Sequence, residues 1–338
     1  MLKTAESVTP RHPDKCCDRI SDAILDACLE QDPDSRVAVE TMGGHGIISV
    51  TGEITTKAYV DIRKVVESVV GGSYGVTINV VSQSPEIKQG VDTGGAGDQG
   101  IMVGYACRDN EDMIPQELYL ARKLCKHLYN KFPEDGKTQI TIDENNIIQT
   151  IVASFANTDT GELHHAVLRW LEDTKIDDDV IIYANPAGDW SVSGFEADTG
   201  LTGRKLAVDN YGPQIPIGGG AFSGKDASKV DRSGAYMARK IAVDYLKEYH
   251  EVSEVYVKLA YSIGVAEPVM VSISVKHLTE TDIDQYNHLE TDVVNNIIKD
   301  FKYDLTPKGI IDFLELKKPQ FQKTAEWGHM GNGFKWDK

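Results

Sequence analysis

The sequence has little positive charge, and this shortage argues against two classes of partner. Its 35 lysines and arginines are outnumbered by 52 aspartates and glutamates, for a formal net charge of −17. Because most of such a surface repels polyanions, we expect no nucleic-acid partner and no membrane partner. Any phosphate site must therefore be a local group of cations.

The chain also lacks a long apolar segment. No apolar run approaches the roughly 20 residues that a membrane-spanning helix needs, and residues 1–10 lack the apolar stretch of a signal peptide. We therefore predict a cytoplasmic protein.

Cysteine is scarce and unpaired in pattern. The five cysteines are odd in number and show no C-x-x-C spacing, which disfavours both a disulfide framework and a zinc site. Buried thiols are the favoured interpretation, and a reactive Cys16 or Cys17 is the alternative.

Apolar periodicity predicts one plan three times, in the order helix, strand, strand, helix, strand. The first round has helices over 16–31 and 57–70, and strands over 36–42, 46–54 and 75–82. The second has helices over 116–132 and 161–173, and strands over 138–143, 147–157 and 180–184. The third repeats the first four elements, with helices over 228–249 and 283–300 and strands over 254–263 and 269–275. We predict an α+β fold of three similar α/β units in a pseudo-threefold arrangement, with mixed sheets covered by helices, at 1–90, 95–192 and 193–338.

Glycine-rich segments at 90–100 and 191–224 separate the units. They alternate glycine with charged residues such as Asp98, Asp198 and Arg204. Solvated linkers are one interpretation, but this composition favours active-site loops.

The segment 218–233 carries the strongest chemical signal, because its glycines, lysines, carboxylates and hydroxyls suit a polyphosphate with magnesium. Gly219, Gly224 and Lys225 match the spacing of G-x-x-x-x-G-K-[ST], but Asp226 stands where the hydroxyl belongs. Pro213 and Pro216 also argue against the buried strand that feeds a P-loop. A P-loop phosphotransferase is therefore a weak alternative.

Four motifs in order point to a family. They are the HPDK run at 12–15, GAGDQG at 95–100, GLTGRK at 200–205 and GGGAFSGKD at 218–226. Together they resemble the S-adenosylmethionine synthetases, and the likeness extends from Glu6 to about Gly331, where GHMG looks like the family's GHFG.

The resemblance implies a reaction of ATP with L-methionine. The methionine sulfur attacks C5′ of ATP, and the released tripolyphosphate is hydrolysed to pyrophosphate and phosphate. It also implies two Mg²⁺ ions, K⁺, and active sites at the dimer interface of a homodimer or homotetramer.

The resemblance assigns roles position by position. Its catalytic positions match His12, Lys137, Arg204 and Lys225. Its ATP-binding positions match these four with Asp98, Asp135, Trp190, Asp198, Lys205 and Ala221. Its methionine-binding positions match Glu53, Gln83, Asp198 and Lys229. Its metal ligands match Asp14 and Asp231 for Mg²⁺ and Glu40 for K⁺.

Each assignment has a structural alternative. Asp14 is also placed to cap a helix, and Glu40 and Glu53 fit solvent-facing strand positions. Lys225 and Lys229 fit a solvated basic face, and Asp231 with Arg232 fits a surface pair.

The chain departs from the family pattern in two places besides Pro213 and Pro216, which replace a more flexible approach to the triple glycine and would stiffen it. Gly188-Asp189-Trp190 replaces a Gly-Arg-Phe, so Trp190 keeps a stacking role on adenine but the arginine's role is not carried over. The loop 83–95 is shorter than the usual bacterial gate. Both departures favour one further alternative, a nucleotide or polyphosphate sensor without turnover.

Overall fold

The computed structural model describes residues 1–72, 74–83, 94–174, 179–278 and 286–338. In these ranges the strands are β1 (Lys3–Val8), β2 (Arg36–Gly44), β3 (Ile47–Thr55), β4 (Gly75–Val81), β5 (Gly100–Cys107), β6 (Gly136–Ile142), β7 (Ile148–Phe155), β8 (Ile181–Ala184), β9 (Gly200–Leu201), β10 (Val252–Tyr261), β11 (Met270–His277) and β12 (Asn287–His288). The helices are α1 (Pro13–Gln31), α2 (Ile62–Val70), α3 (Gln116–Lys131), α4 (Thr160–Thr174), α5 (Leu206–Asp209), α6 (Val230–Glu248), α7 (Thr291–Asp300), α8 (Pro307–Leu314) and α9 (Phe321–Trp327).

The strands form three four-stranded sheets of one plan in the described ranges. Their orders are β9-β2-β3-β4, β1-β6-β7-β8 and β5-β10-β11-β12. The first two sheets end in a parallel pair after antiparallel ones, whereas the third is antiparallel throughout. The α+β fold of three similar units is confirmed.

Each sheet borrows its first strand from a distant part of the sequence. β1 pairs with β6, β5 pairs with β10, and β9 pairs with β2. The sequence predicted no strand at these three places, because each depends on a partner far along the chain rather than on local periodicity.

Helices cover one face of each sheet. α1 packs on β2, α3 packs on β1 and β6, and α6 packs on β5 and β10. The alternating burial of β6 and β10 shows why, since every second side chain enters the core. One apolar core joins the first and third sheets, and a second core lies within the central unit.

Two predicted helix starts are wrong. The helix predicted at 57 begins at Ile62, after an Asp61 side chain that accepts a hydrogen bond from Lys64 N. The helix predicted at 283 begins at Thr291, because Asn287 and His288 pair with β11 instead. Residues 283–285 lie outside the described ranges, as does most of the shortened loop, 84–93. No helix in the described parts of the chain is long and apolar enough to cross a membrane.

The described cysteines are all free thiols. Cys16 is half-buried and the other four are buried. Burial raises the pKa of the Cys16 thiol to about 12, so it is not a reactive thiolate at neutral pH.

Candidate active site

The N-terminus of α1 positions the first predicted residues. Pro13 occupies the first turn, and the His12 side chain caps the helix by accepting the Asp14 N–H at Nδ1, 3.2 Å away. Burial and the Lys205 cation lower the pKa of His12 to about 4. Its neutral ring therefore carries its proton on Nε2, which has no hydrogen-bond partner among the described residues and can donate to a ligand.

Asp14 is not the helix cap. Its fully buried carboxylate accepts the Leu201 N–H at 3.0 Å and contacts Arg204 Nε at 2.9 Å and Lys205 Nζ at 2.6 Å. Burial alone would raise the pKa of Asp14, but the hydrogen bonds from Lys205 and Leu201 outweigh it and lower that pKa. An ionised carboxylate thus gathers the GLTGRK cations beside His12.

The start of β6 adds two more predicted residues. Lys137 Nζ lies 2.5 Å from Glu6 Oε2, and the lysine side chain is 43% exposed. Asp135 is buried and accepts the Gly194 N–H at 3.1 Å. The charges of Lys137 and Asp198 both reach His12, since each contributes to the shift of its pKa.

The Asp189 departure has a structural explanation. Its carboxylate accepts the Thr160 N–H at 2.9 Å and the Thr160 hydroxyl, at the first residue of α4. An acidic side chain there satisfies a free N–H and complements the helix dipole. Trp190 is half-buried, and its carbonyl accepts the Asn157 N–H at 2.8 Å.

The GGGAFSGKD segment pairs with the edge of β2. Val39 N donates to Gly224 O at 3.0 Å, and Asp226 N donates to Val37 O at 2.9 Å. Lys225 Nζ lies 2.5 Å from Asp231 Oδ2. Neither Lys225 nor the nearby Lys229 belongs to a solvated face, because each pairs with a buried aspartate, Lys225 with Asp231 and Lys229 with Asp226.

This geometry is not that of a P-loop. The fully described segment 211–229 contains no strand beyond the single Lys225 bridge to Ala38, as the two prolines predicted. Asp226 accepts the Val37 N–H at 2.8 Å and the Ser228 N–H at 2.9 Å, so its carboxylate fixes the loop to β2. The mismatch at Asp226 is therefore structural.

The GLTGRK and GGGAFSGKD segments, called the two glycine loops below, touch at Gly203 and Ala221. Gly203 has φ +79°, and a Cβ added to it would lie 2.4 Å from the Ala221 Cβ. Only glycine permits both this backbone conformation and this approach. The contact joins Asp14 and its cations to Lys225 and its partner Asp231.

The remaining predicted residues lie around this group. By strand register, Glu40, Glu53 and Lys225 share the face of the first sheet opposite to α1, with Glu40 exposed and Glu53 half-buried. Gln83 N donates to Thr55 Oγ1 at 3.0 Å. Asp98 is exposed in the loop that leads to Gly100. Gly100 itself lies beside the Asp231 carboxylate.

Sequence reasoning missed the groups that hold these loops. Arg232, predicted as part of a surface pair, is fully buried and binds Asp22 through both terminal nitrogens, at 2.6 and 2.9 Å. Lys15 is buried between Asp18 and Asp209. A signal was present, because aspartates recur every fourth residue of α1 at 14, 18, 22 and 26.

Three family models match consecutive parts of the chain. They are the N-terminal, central and C-terminal domains of S-adenosylmethionine synthetase, over residues 1–81, 93–190 and 192–338. The chain belongs to the S-adenosylmethionine synthetase family. Members of this synthetase family are transferases.

Named relatives align over the whole chain. S-adenosylmethionine synthase of Wolinella succinogenes is 39% identical over 377 residues, covering 100% of this chain and 95% of its own. That of Petrotoga mobilis is 37% identical over 395 residues, covering 100% and 96%. That of Nitratiruptor sp. is 39% identical over 377 residues, covering 100% and 95%. Since this synthetase has 338 residues, the relatives carry segments that it lacks.

The synthetase family uses metal ions, and the donors present here fit ions that arrive with a substrate. In the described ranges no three His, Cys, Asp or Glu side chains form a metal-binding group. Asp14 and Asp231 are single carboxylates, each beside lysine. Magnesium is commonly held by one or two carboxylates together with water and substrate phosphates, which matches such a set.

Asp135→Asn should stabilise the protein at neutral pH but not in acid. Burial raises the pKa of Asp135 to about 6, above its usual 3.8, so the fold prefers the protonated form. The protonated carboxyl therefore adds to the free energy of unfolding below pH 4, and this contribution is lost as the pH rises to about 6. The loss is roughly 2 to 3 kcal/mol. Asparagine stays neutral and still accepts the Gly194 N–H. Thermal unfolding at pH 7.5 and pH 4 checks this, and an equal change in Tm at both pH values would contradict it.

Proposed function

We propose that this chain is a methionine adenosyltransferase that makes S-adenosylmethionine from ATP and L-methionine. The observation that carries the proposal is the junction at Gly203 and Ala221, where the loop whose Arg204 and Lys205 contact Asp14 meets the loop that carries Lys225. Such a cluster suits a long polyanion rather than a single phosphate.

The reaction needs electrostatic help more than proton transfer. A lone pair of the methionine sulfur forms the S–C5′ bond, and the C5′–O bond breaks with its electrons passing to the tripolyphosphate. Because a thioether has no proton to lose, this step needs no general base. The main task is to stabilise charge on the leaving group. Water then cleaves the tripolyphosphate to pyrophosphate and phosphate.

The proposed phosphate-binding residues follow from the basic cluster. His12 donates from Nε2, and the cations are Lys137, Arg204, Lys205 and Lys225, with Ala221 lining the loop. Several of them now contact carboxylates, Lys205 with Asp14 and Lys225 with Asp231, so the polyanion would compete for preorganised cations.

The nucleoside and methionine are assigned to the flanking residues. Asp135 and Trp190 would contact the nucleotide, and Asp98 and Asp198 would lie between the two substrates, where their charge favours the developing sulfonium. Glu53, Gln83 and Lys229, with Asp198, would bind methionine.

Two Mg²⁺ ions and one K⁺ complete the proposal. Asp14 and Asp231 would hold the magnesium ions, and Glu40 would help to hold potassium. When bound, the metal ions neutralise the leaving group's charge.

The first sheet supports an assembly of two or four chains with sites at the interface. On the face of this sheet opposite to α1, Met42, Ile47 and Val81 are exposed and share the face with Glu40 and Glu53. Exposed apolar residues bordered by polar ones are typical of protein–protein contacts. The molar mass in solution, measured by light scattering, should equal two or four chains, and a monomer at working concentration would refute the assembly.

We also propose that the enzyme acts in the cytoplasm, where its substrate ATP is supplied.

Incubation with ATP, methionine, Mg²⁺ and K⁺ tests the activity. The proposal predicts S-adenosylmethionine, pyrophosphate and phosphate in equal amounts and no ADP. ADP with a phosphorylated acceptor would instead indicate a phosphotransferase. ATP binding without any methionine product would indicate the sensor, although Asp189, one basis for that alternative, serves the start of α4.

A further inference from the structure

Four aspartates form a ladder on one side of α1. Asp14, Asp18, Asp22 and Asp26 are spaced by four residues, which aligns them along one face of a helix. Each accepts backbone N–H groups from a segment far along the chain. The donors are Leu201 N to Asp14, Gly203 N to Asp18, Gly224 N to Asp22, and Gln320, Phe321 and Gln322 N to Asp26.

The two middle rungs hold the two glycine loops. Gly203 N lies 2.8 Å from Asp18 Oδ1, one residue before Arg204. Gly224 N lies 2.8 Å from Asp22 Oδ1, one residue before Lys225. Each loop is thus anchored beside a cation of the proposed phosphate site.

The surrounding charges keep these carboxylates in place. Asp22 binds Arg232 through two hydrogen bonds, and Arg232 also donates to Lys225 O at 3.2 Å. Asp18 shares Lys15 with Asp209, whose distance to Lys15 Nζ is 2.5 Å. Removing Asp18 therefore leaves a balanced Lys15–Asp209 pair, whereas removing Asp22 leaves a buried arginine unpaired.

We propose that Asp18 and Asp22 are positioning residues that fix the backbone of the two phosphate loops, so that their cations meet the leaving group at a set distance. Neither residue touches substrate. The inference rests on the proposed function, and it predicts that the hydrogen bond to the loop, rather than the stability of α1, determines the rate. Asp26 is the built-in control, because it has the same helix, spacing and type of partner but docks α9.

The test compares Asp18→Ala, Asp18→Asn and Asp26→Ala in the full chain. Asp18→Ala should lower kcat by about 10- to 100-fold, the scale expected when a loop is misplaced by about 1 Å, with little change in KM for methionine. Asp18→Asn retains an oxygen for Gly203 N–H and should keep kcat within about threefold of wild type. Asp26→Ala should lower Tm yet keep kcat.

Amide hydrogen exchange gives a readout that does not need turnover. Asp18→Ala should speed exchange in peptides spanning 200–205, while Asp26→Ala should speed it near 320–322 only. If Asp18→Ala leaves both exchange at 200–205 and kcat unchanged, or if Asp18→Asn loses as much kcat as Asp18→Ala, the positioning role is wrong. If the wild-type chain has no activity but the two variants still show this exchange pattern, the proposed function is refuted. The anchoring of the 200–205 loop by Asp18 would nevertheless stand.

Discussion

Lys137→Met should lower kcat for S-adenosylmethionine formation by about a hundred- to a thousandfold, the loss typical of removing one electrostatic stabiliser of the transition state. The lysine lies on β6, its side chain is 43% exposed with Glu6 as its carboxylate partner, and its charge helps to lower the pKa of His12. Methionine keeps most of the length of the unbranched side chain and removes the ammonium group with its charge. Because exposed ion pairs contribute about 0 to 1 kcal/mol, the fold should survive. The measurement is steady-state kinetics together with a thermal unfolding curve.

Lys123→Met is the matched control for this variant. Lys123 is 47% exposed and pairs with Glu111 at 3.3 Å, so it loses a comparable ion pair on α3. It should keep kcat and show a similar change in Tm. Equal kinetic losses in the two variants, or full activity in Lys137→Met, would show that Lys137 does not serve the leaving group.

Gly203→Ala should also cause a large loss, of at least about a hundredfold in kcat/KM for ATP, because it separates two loops that must meet. The new Cβ would lie 2.4 Å from the Ala221 Cβ, and both atoms are attached directly to the backbone. Neither can rotate away, so the GLTGRK and GGGAFSGKD loops must part. In the proposed site, the cations that these loops carry would then no longer converge on one leaving group.

Gly46→Ala separates this collision from backbone strain. Gly46 has φ +84°, close to the +79° of Gly203, but a Cβ there has nothing within 4 Å. Both variants carry the strain of a left-handed conformation, about 1 to 2 kcal/mol. Gly46→Ala should therefore lose stability and keep kcat/KM. Similar kinetics in both variants would contradict the role of the loop junction.

The repeated units were predictable because their apolar periodicity is local. The helix predicted over 116–132 is observed at Gln116–Lys131, and the strand predicted over 138–143 is observed at Gly136–Ile142. The edge strands were not predictable in this way. Lys3–Val8 becomes a strand by pairing with β6, more than a hundred residues away.

The residues of the candidate site likewise fall into those that local motifs predict and those that long-range contacts determine. Motifs identified the cations of the loops, but not what holds them. Asp18, Asp22 and Arg232 contact their loops across long stretches of chain, and no local pattern assigns partners to them. Asp189 is a further example. Its sequence position indicated only a reversed charge, whereas its contact with Thr160 explains the acidic residue.

A single turnover, quenched with acid and analysed for all phosphorus species, tests the central claim most directly. The enzyme is in excess over ATP, and methionine and the metal ions are supplied. Intact tripolyphosphate should then appear together with S-adenosylmethionine and decay to pyrophosphate and phosphate. That result would mean that the basic cluster holds the three phosphates as one leaving group. ADP, or phosphate formed before any S-adenosylmethionine, would contradict it.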